Sequence, residues 1–341
     1  MFYLKYRPQT INELDLTTVR DRLTAIFKSK KYPHGLLFSG PKGTGKTSAA
    51  RIVAKILNCQ NRKDLDPCNH CYSCKLITKS QSPDVIELDA ASNRRIDDIR
   101  DLIATIKFTP LVSPNKLYII DEVHMLTKEA FNALLKTLEE PPDNTYFILA
   151  TTEPDDLPPT IKSRCIEVVF SKATGPEIIS MLNRIIKNEQ IIIDTPSLNY
   201  IAAHADGSFR DATKILDEVA VNKKIVLEDI KNILNIPDKA SAILNAIDKH
   251  DQKQVIQIIQ KLDNSGTNYK ELIRMILDEL YFILLNKTIM TDEKKGHQYN
   301  FNLKQIATLM KSFQEAYGQL KYTPIESIPL QIAVIEYLEN N

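Results

Sequence analysis

Residues 40–47, GPKGTGKT, constrain the fold of this 341-residue chain more than any other feature. They match the pattern G-x4-G-K-[ST], follow an apolar run at 34–39 and open a segment with helical periodicity, which is the strand, loop and helix context that a phosphate-binding loop requires. Glycines let backbone N–H groups turn towards phosphates, and the helix N-terminus adds a partial positive charge. A glycine-rich turn formed by chance is the alternative. The pattern predicts a nucleotide site lined by Gly40, Pro41, Lys42, Gly43, Thr44, Gly45, Lys46, Thr47 and Ser48.

The apolar runs predict an α/β fold that gives way to helices. Buried strands are expected at 34–39, 83–89, 116–121, 145–150 and 165–170, with helical periodicity between them. This alternation, up to about residue 171, predicts a parallel sheet covered on both faces. Beyond it strands nearly vanish, and Pro237 marks a boundary before an all-helical segment with apolar stripes at 255–262 and 272–280. Residues 290–300 are polar and predict a loop.

Two adjacent carboxylates, Asp121 and Glu122, end the third predicted strand. With Lys46 on the β/γ-phosphates, Asp121 and the Thr47 hydroxyl are expected to hold Mg²⁺. Glu122 is expected to orient and deprotonate a water for hydrolysis. A surface Asp-Glu pair is the alternative. The chain has no Asn-Lys-x-Asp run of the kind that reads guanine, so the expected nucleotide is ATP.

Cys59, Cys68, Cys71 and Cys74 form a C-x8-C-x2-C-x2-C array. Four thiolates at this spacing suit a tetrahedral Zn²⁺ with no open position, which predicts a structural and not a catalytic site. The alternatives are a redox pair, buried free thiols or participation of His70. The fifth cysteine, Cys165, is expected to be a packed thiol.

Charge and hydropathy exclude several classes of protein. The formal net charge is +1 with 26% charged residues, so any site for nucleic acid must be local. No signal-peptide core and no apolar run of membrane-spanning length is found in the sequence. We therefore expect a cytoplasmic protein without a membrane partner, in a compartment where cysteines bind metal rather than form disulfides.

Two arginines have less obvious meanings. Arg164 lies between a predicted helix at 157–162 and the last strand, where an arginine is commonly a solvated surface charge. Arg210 is predicted in the first turn of a helix capped by Ser208, with Asp211 in capping-box spacing. The helix dipole disfavours a cation there, and a nearby phosphate would offset that cost.

These features together resemble the gamma/tau subunits of the bacterial DNA polymerase III clamp loader over nearly the entire length. Besides the phosphate loop and the cysteines, the resemblance rests on residues 5–8 (KYRP), 88–92 (LDAAS), 120–126 (IDEVHML), 131–142 (FNALLKTLEEPP), 150–152 (ATT), 163–165 (SRC) and 207–212 (GSFRDA). It implies a P-loop AAA+ module with a parallel five-stranded sheet over 1–171 and a cysteine insertion at 59–74. A small helical lid at 172–237 and an all-α collar for oligomerisation at 238–341 would follow.

The resemblance also implies roles for single residues. Arg164 matches the arginine finger that reaches the ATP site of an adjacent subunit, Arg210 the lid's sensor 2 and Thr152 sensor 1; with Lys46 and Glu122 they form the expected catalytic set. Arg7 and Pro8 match the segment that lines the adenine pocket. The residues expected to contact the phosphate backbone of primed DNA, with solvated helix faces as the alternative, are Arg95, Arg100 and Lys136.

The family's function implies ATP, Mg²⁺ and Zn²⁺ as ligands and a heteropentamer as the assembly. Its expected partners are delta, delta-prime and further gamma/tau subunits, the sliding clamp and primed DNA. Two departures stand out: Ile11 and the stretch 15–18 (DLTT) replace the family's usual aromatic residue and Val-Gly-Gln-like turn. The chain also stops where the family's collar ends, so we expect it to lack the tau-type extension.

Two other functions compete with this one. A non-hydrolysing delta-prime-like scaffold shares the cysteines and the Ser-Arg-Cys motif, but Lys46, Thr47, Asp121 and Glu122 are all present here. A ring helicase of the branch-migration type shares the phosphate loop and the lid arginine, but it lacks a four-cysteine insertion and ends in a winged helix. A module that binds nucleotide only as a structural ligand is a third alternative.

Overall fold

A computed structural model of the chain describes residues 1–29, 32–92, 96–106, 108–220, 224–227, 230, 237–264, 267–289 and 299–340. It divides into two compact units, 1–227 and 228–341. None of the helices in these described ranges has the length and apolar character needed to cross a bilayer. The domain boundaries at 171 and 237 remain predictions.

The first unit is built on a parallel five-stranded sheet, as predicted. Its strands are β1 (Gly35–Ser39), β2 (Val85–Asp89), β3 (Lys116–Asp121), β4 (Thr145–Thr151) and β5 (Ile166–Val169), in the order β2-β3-β4-β1-β5. All neighbouring pairs are parallel. Because the strands run in one direction, the residues that follow β1, β3 and β4 come to the same edge of the sheet, where ligands of open α/β folds bind.

In the described residues up to 162, the helices are α1 (Phe2–Lys5), α2 (Thr17–Lys28), α3 (Lys46–Asn58), α4 (Tyr72–Thr78), α5 (Ile96–Ile106), α6 (Lys128–Glu139) and α7 (Pro159–Lys162). Short 3-10 turns lie at Val123–Met125 and Pro154–Asp156. The apolar residues of α3, among them Ile52, Val53 and Ile56, are buried, and the same helix also buries Lys46 and Lys55. Helix α7 begins at Pro159 and not at Leu157 as predicted, because Leu157 precedes Pro158 and is extended, with ψ 137°.

The chain continues with α8 (Gly175–Glu189), α9 (Thr195–His204) and α10 (Phe209–Val219). Thr174 and Glu177 form a capping box at the start of α8. Two-residue strands β6 (Ile192–Ile193) and β7 (Lys224–Ile225) pair in parallel. The sequence pattern did not predict this pair, because two residues are too few to show a period of two.

The second unit consists of helices in its described parts. They are α11 (Pro237–Asp248), α12 (Gln252–Asn264), α13 (Tyr269–Ile289), α14 (Leu303–Gln319) and α15 (Ile328–Asn340). Both predicted stripes enter its core, in which Val255, Ile259, Ile273 and Ile276 are fully buried. Residues 290–298 of the predicted loop lie outside the described residues.

Candidate nucleotide and metal sites

A cavity of about 360 Å³ lies at the edge of the sheet where β1 and β3 end. The phosphate loop, the first residues of the chain, the end of β3 and helices α8 and α10 surround it. The predicted site residues that line it are Arg7, Pro8, Lys42, Gly43, Thr44, Gly45, Lys46, Thr47, Ser48, Asp121, Glu122 and Arg210. Gly40 and Pro41 do not line it, but they shape the loop through their carbonyl groups.

Three glycines give the phosphate loop its shape, since each has a positive φ: 141° at Gly40, 81° at Gly43 and 102° at Gly45. A Cβ at Gly40 would lie 1.9 Å from the carbonyl oxygen of Phe170, and one at Gly43 would lie 2.0 Å from Ser208 Oγ. A Cβ at Gly45 would meet nothing within 4 Å. The first two glycines therefore permit close packing, whereas Gly45 faces open space at the start of α3.

Lys46 lies inside this loop and is 6% exposed. Its Nζ donates to the carbonyl oxygens of Gly40 at 2.6 Å and Pro41 at 2.9 Å. Burial lowers the pKa of Lys46, and the carboxylates of Glu122 and Asp121 act in the opposite direction. The ammonium group is thus held at the site by weak neutral acceptors, which an anionic phosphate can replace.

Thr47 and Asp121 meet as the sequence predicts. The Thr47 hydroxyl donates to Asp121 Oδ2 at 2.8 Å. The other carboxylate oxygen, Oδ1, accepts the N–H of Glu122 at 3.0 Å. A hydroxyl and a carboxylate oxygen on adjoining elements are the kind of ligand that Mg²⁺ takes beside bound phosphates, so these two residues fit that ion.

Glu122 occupies a strained position directly after β3, with φ 49°. Its Oε2 accepts a hydrogen bond from the Thr152 hydroxyl at 3.0 Å. His124 Nδ1 lies 3.6 Å from the same oxygen and 3.0 Å from Thr151 Oγ1. The end of β4 thereby orients the carboxylate. The sequence patterns predict a role for Thr152 but none for His124, although His124 lies within the motif at 120–126.

Arg7 and Arg210 both line the cavity. Arg7 Nε donates to Ser48 Oγ at 2.8 Å, and burial lowers the pKa of Arg7 to about 10. The Arg210 guanidinium lies over the Tyr3 ring, 5.4 Å from its centroid. Its backbone N–H donates to the Gly43 carbonyl oxygen at 3.4 Å. Both cations can therefore reach an anion bound in the loop.

The start of α10 has the predicted cap. Ser208 Oγ accepts the N–H of Asp211 at 3.1 Å. Arg210 is accordingly the second residue of the helix, where the dipole disfavours its charge.

Arg164 lies elsewhere and does not line the cavity. Its Nη2 forms an ion pair with Glu139 at the end of α6, and its Nη1 donates to the Thr160 carbonyl oxygen at 2.7 Å. Cys165 packs beside it against the hydrophobic core, and burial raises the pKa of this thiol to about 11. The Glu139 partner was not predicted, because the two residues are far apart in sequence.

The four clustered cysteines converge as predicted. The sulfur atoms of Cys59, Cys68, Cys71 and Cys74 all lie within 4.8 Å of one another. The N–H of Cys68 donates to Cys59 Sγ at 3.2 Å, and that of Cys71 to Cys68 Sγ at 3.3 Å. Four soft donors at this separation fit one tetrahedral Zn²⁺.

The surroundings of the sulfurs act in different directions: burial raises the pKa of the Cys59 and Cys74 thiols, whereas the pKa of Cys68 is lowered. Burial acts to raise the pKa of Cys68, but hydrogen bonds from the backbone of His70 and Cys71 outweigh it and lower that pKa to about 6. The His70 ring is turned to the Cys68 carbonyl oxygen, with Nδ1 at 2.6 Å, and is not part of the sulfur cluster. All five cysteines are free thiols.

Of the three residues predicted to contact DNA, Lys136 alone has a side chain within the described residues. Lys136 is exposed near the end of α6. Arg95 and the side chain of Arg100 lie outside the described residues. Their role remains a prediction.

Two regions of the chain match protein-family models. Residues 16–174 match the model described as DNA polymerase III, delta subunit, and residues 177–220 match DNA polymerase III clamp loader subunit, ATPase lid domain. The chain is 37% identical to DNA polymerase III subunit tau of Bacillus subtilis, over 99% of this chain and 63% of that protein. It is 35% identical to subunit gamma of Buchnera aphidicola from Acyrthosiphon pisum, over 98% of this chain and 97% of the relative.

A solved structure shares the fold. The RuvB Holliday junction branch migration motor of Thermotoga maritima superposes with a TM-score of 0.51 over 71% of this chain and 79% of that one. The sequences are 18% identical, so this likeness concerns the AAA+ architecture alone.

Proposed function

Because this chain belongs to the gamma/tau family of DNA polymerase III subunits, we propose that it is an ATP-hydrolysing subunit of a bacterial clamp loader. In this role it couples ATP binding and hydrolysis to opening of the sliding clamp and its loading onto primed DNA. The observation that carries the proposal is the carboxylate of Glu122, held by Thr152 next to the paired Thr47 and Asp121.

Each group of the cavity has a role in this reaction. Lys46 and the loop N–H groups bind the phosphates, while Thr47 and Asp121 would hold Mg²⁺, which neutralises charge on the phosphates when bound. Glu122 accepts a proton from the attacking water, and Thr152 fixes the direction of its carboxylate. Arg7 and Pro8 form the wall on the adenine side, and Arg210 reaches the phosphates from the lid.

Arg164 completes the site of a neighbouring subunit in this proposal. Its side chain is held away from the cavity of its own chain by Glu139 and Thr160, which supports action in trans. An arginine supplied in this way stabilises the charge that develops on the transferred phosphoryl group. The proposed partners are further gamma/tau copies with delta and delta-prime subunits, in a cytoplasmic assembly. Each chain of this type would hold one structural Zn²⁺.

The non-hydrolysing scaffold is the less favoured function. A scaffold needs neither a carboxylate oriented for general-base catalysis nor residues arranged for Mg²⁺. The contact of Thr152 with Glu122 and the pairing of Thr47 with Asp121 therefore support the hydrolytic function. The shared fold with a branch migration motor does not favour that function, since the fold alone is shared.

One assay separates these functions. ATP hydrolysis is measured at steady state for the assembled subunits, with and without sliding clamp and primed DNA, and with Glu122→Gln as the control variant. We expect stimulation by clamp and DNA together, and loss of that stimulated rate in the variant. Binding of ATP without hydrolysis under all these conditions would favour the scaffold function.

A further inference from the structure

Lys55 is a buried cation that the proposed hydrolysis does not use. It lies in the third turn of α3 and is 2% exposed. Its Nζ donates to Gln9 Oε1 and, at 3.0 Å, to Asn69 Oδ1. Both partners are neutral amides, and within the described ranges no ion pair includes Lys55. A buried ammonium group without a paired anion is costly. Burial lowers the pKa of Lys55, and the Cys74 thiol and the Glu13 carboxylate act in the opposite direction, so negative charge near Lys55 favours its ammonium form.

The two amides belong to different functional regions. Gln9 follows Arg7 and Pro8, which line the nucleotide cavity, and its Nε2 donates to the Arg7 carbonyl oxygen at 2.8 Å. Asn69 lies between Cys68 and Cys71. Lys55 thus connects the adenine-side wall of the cavity to the loop that carries the sulfur cluster.

Asp66, between Cys59 and Cys68, makes a second connection to the same wall. Its Oδ1 accepts the N–H of Ile11 at 3.2 Å, and its Oδ2 accepts a hydrogen bond from Asn12 Nδ2 at 2.6 Å. The residues just after Arg7 and Pro8 are therefore held at two points to the segment from Cys59 to Cys74, the cysteine loop.

We propose that Lys55 is a positioning residue through which Zn²⁺ in the cysteine cluster sets the affinity of the nucleotide site. Four thiolates around one divalent ion leave a net negative charge, which stabilises the Lys55 ammonium group. The same ion orders the loop that presents Asn69 and Asp66. Gln9 then keeps Arg7 in place against a bound nucleotide.

This inference rests on the proposed function, since it takes the cavity to be the ATP site. It assigns the cysteine cluster an effect on binding and none on the hydrolytic step. The reason is that Thr47, Asp121 and Glu122 are held by contacts among themselves and with Thr152, without a link to Lys55 among the described contacts.

The test measures equilibrium affinity for a fluorescent ATP analogue in the full chain, together with zinc content. Lys55→Met removes the ammonium group and keeps the volume of the side chain. Gln9→Ala removes the amide oxygen that accepts from Lys55 and leaves α3 and the cysteines intact. Lys116→Met is the matched control, because Lys116 is also buried, at 6% exposure, and donates to two neutral carbonyl oxygens, those of Thr105 and Phe108. We expect affinity about five- to tenfold weaker in the first two variants and unchanged in the control, with kcat at saturating ATP within about twofold of wild type.

Two further measurements follow from linkage. Chelation of zinc from the wild-type chain should weaken nucleotide affinity by a similar factor, and should add little to the effect of Lys55→Met. Conversely, ADP should tighten zinc binding by the same factor that zinc tightens ADP binding, as measured by competition with a chromophoric chelator.

The outcomes distinguish this inference from the proposed function. A wild-type chain that does not bind ATP at all would overturn both. If Lys55→Met and Gln9→Ala both bind the nucleotide with wild-type affinity at full zinc content, this inference is wrong and the proposed function is unaffected. An equal loss of affinity in Lys116→Met also overturns it, because the effect would then be a general loss of stability.

Discussion

The phosphate loop and the cysteine loop lie at opposite ends of α3, and they achieve their shapes by different physics. The phosphate loop is fixed by hydrogen bonds within the protein: the Gly40 N–H donates to the Thr151 carbonyl oxygen at 3.1 Å, and Thr44 Oγ1 donates to that of Pro41 at 2.8 Å. In the cysteine loop, the N–H groups of Cys68 and Cys71 donate to sulfur atoms. The first loop is therefore preorganised by contacts within the protein, whereas we expect the second to be completed by a metal ion held by its four sulfur atoms.

Because of this difference, binding of nucleotide and binding of zinc should have different effects on the protein. A nucleotide that enters a preformed loop spends little on ordering the protein, so its binding energy remains available for the reaction. Zinc that enters the cysteine loop stabilises the folded chain instead, because the metal site does not exist in the unfolded chain. Substitutions in the phosphate loop should therefore mainly change nucleotide affinity and hydrolysis. Loss of zinc should mainly lower the melting temperature, with the smaller effect on nucleotide affinity inferred above.

The largest expected effect is that of Arg164→Ala, which tests whether the phosphate loop can support hydrolysis without an arginine from a neighbouring subunit. Arg164→Ala should reduce clamp- and DNA-stimulated hydrolysis on the order of 10³- to 10⁵-fold, because an arginine finger stabilises the transition state. ATP binding should stay nearly intact, since Arg164 does not line the cavity of its own chain. Steady-state hydrolysis and equilibrium binding measure the two quantities separately.

A mixture of damaged chains decides whether Arg164 acts in trans. An Arg164→Ala chain keeps an intact phosphate loop, and a Lys46→Ala chain keeps an intact Arg164. An assembly that places these two parts next to each other contains one complete site. Partial recovery of hydrolysis is expected. A mixture as inactive as its components, although sizing shows that mixed assemblies form, would mean that the site is not split between subunits.

The next effect concerns binding by the preformed loop. Lys46→Ala should weaken ATP affinity by about 10- to 100-fold, because it removes charge-assisted hydrogen bonds to the phosphates. The melting temperature should remain within about 2 °C of wild type, since the lost partners are neutral carbonyl groups and a buried charge is removed with them. A large fall in melting temperature would show that the loop depends on Lys46 for its shape.

The cysteine loop should behave in the opposite way. Cys74→Ser should reduce bound zinc from about one equivalent to none and lower the melting temperature by at least about 5 °C, because metal binding contributes to folding. At saturating ATP the hydrolysis rate should change little. Cys165→Ala is the control and should retain zinc. A zinc-free wild-type protein that folds well, or a disulfide among the clustered cysteines, would contradict the metal site.

The sequence predicted these two loops because their residues are close together in the chain. The spacing of 40–47 and the ends of β1 and β3 were enough to place Lys46, Thr47 and Asp121, and the cysteine spacing was enough for the sulfur cluster. Contacts between distant polar side chains leave no periodic signal. For this reason the pairing of Arg164 with Glu139 and the burial of Lys55 among amides became visible only in the folded chain.

The smallest expected effect concerns Lys136, an exposed charge on α6 that neither loop organises. If it contacts the phosphate backbone of primed DNA, Lys136→Ala should weaken binding only severalfold, about equally for all sequences, because phosphate contacts carry no sequence information. Neutralising one such contact should lower the slope of log affinity against log salt by roughly 1, since one fewer counterion is released. Lys187→Ala, an equally exposed charge in the last turn of α8, is the matched control and should leave the slope unchanged. An unchanged slope in Lys136→Ala would assign this lysine to a solvated helix face, and the same measurement on Arg95 and Arg100 variants would then decide whether any of the three contacts DNA.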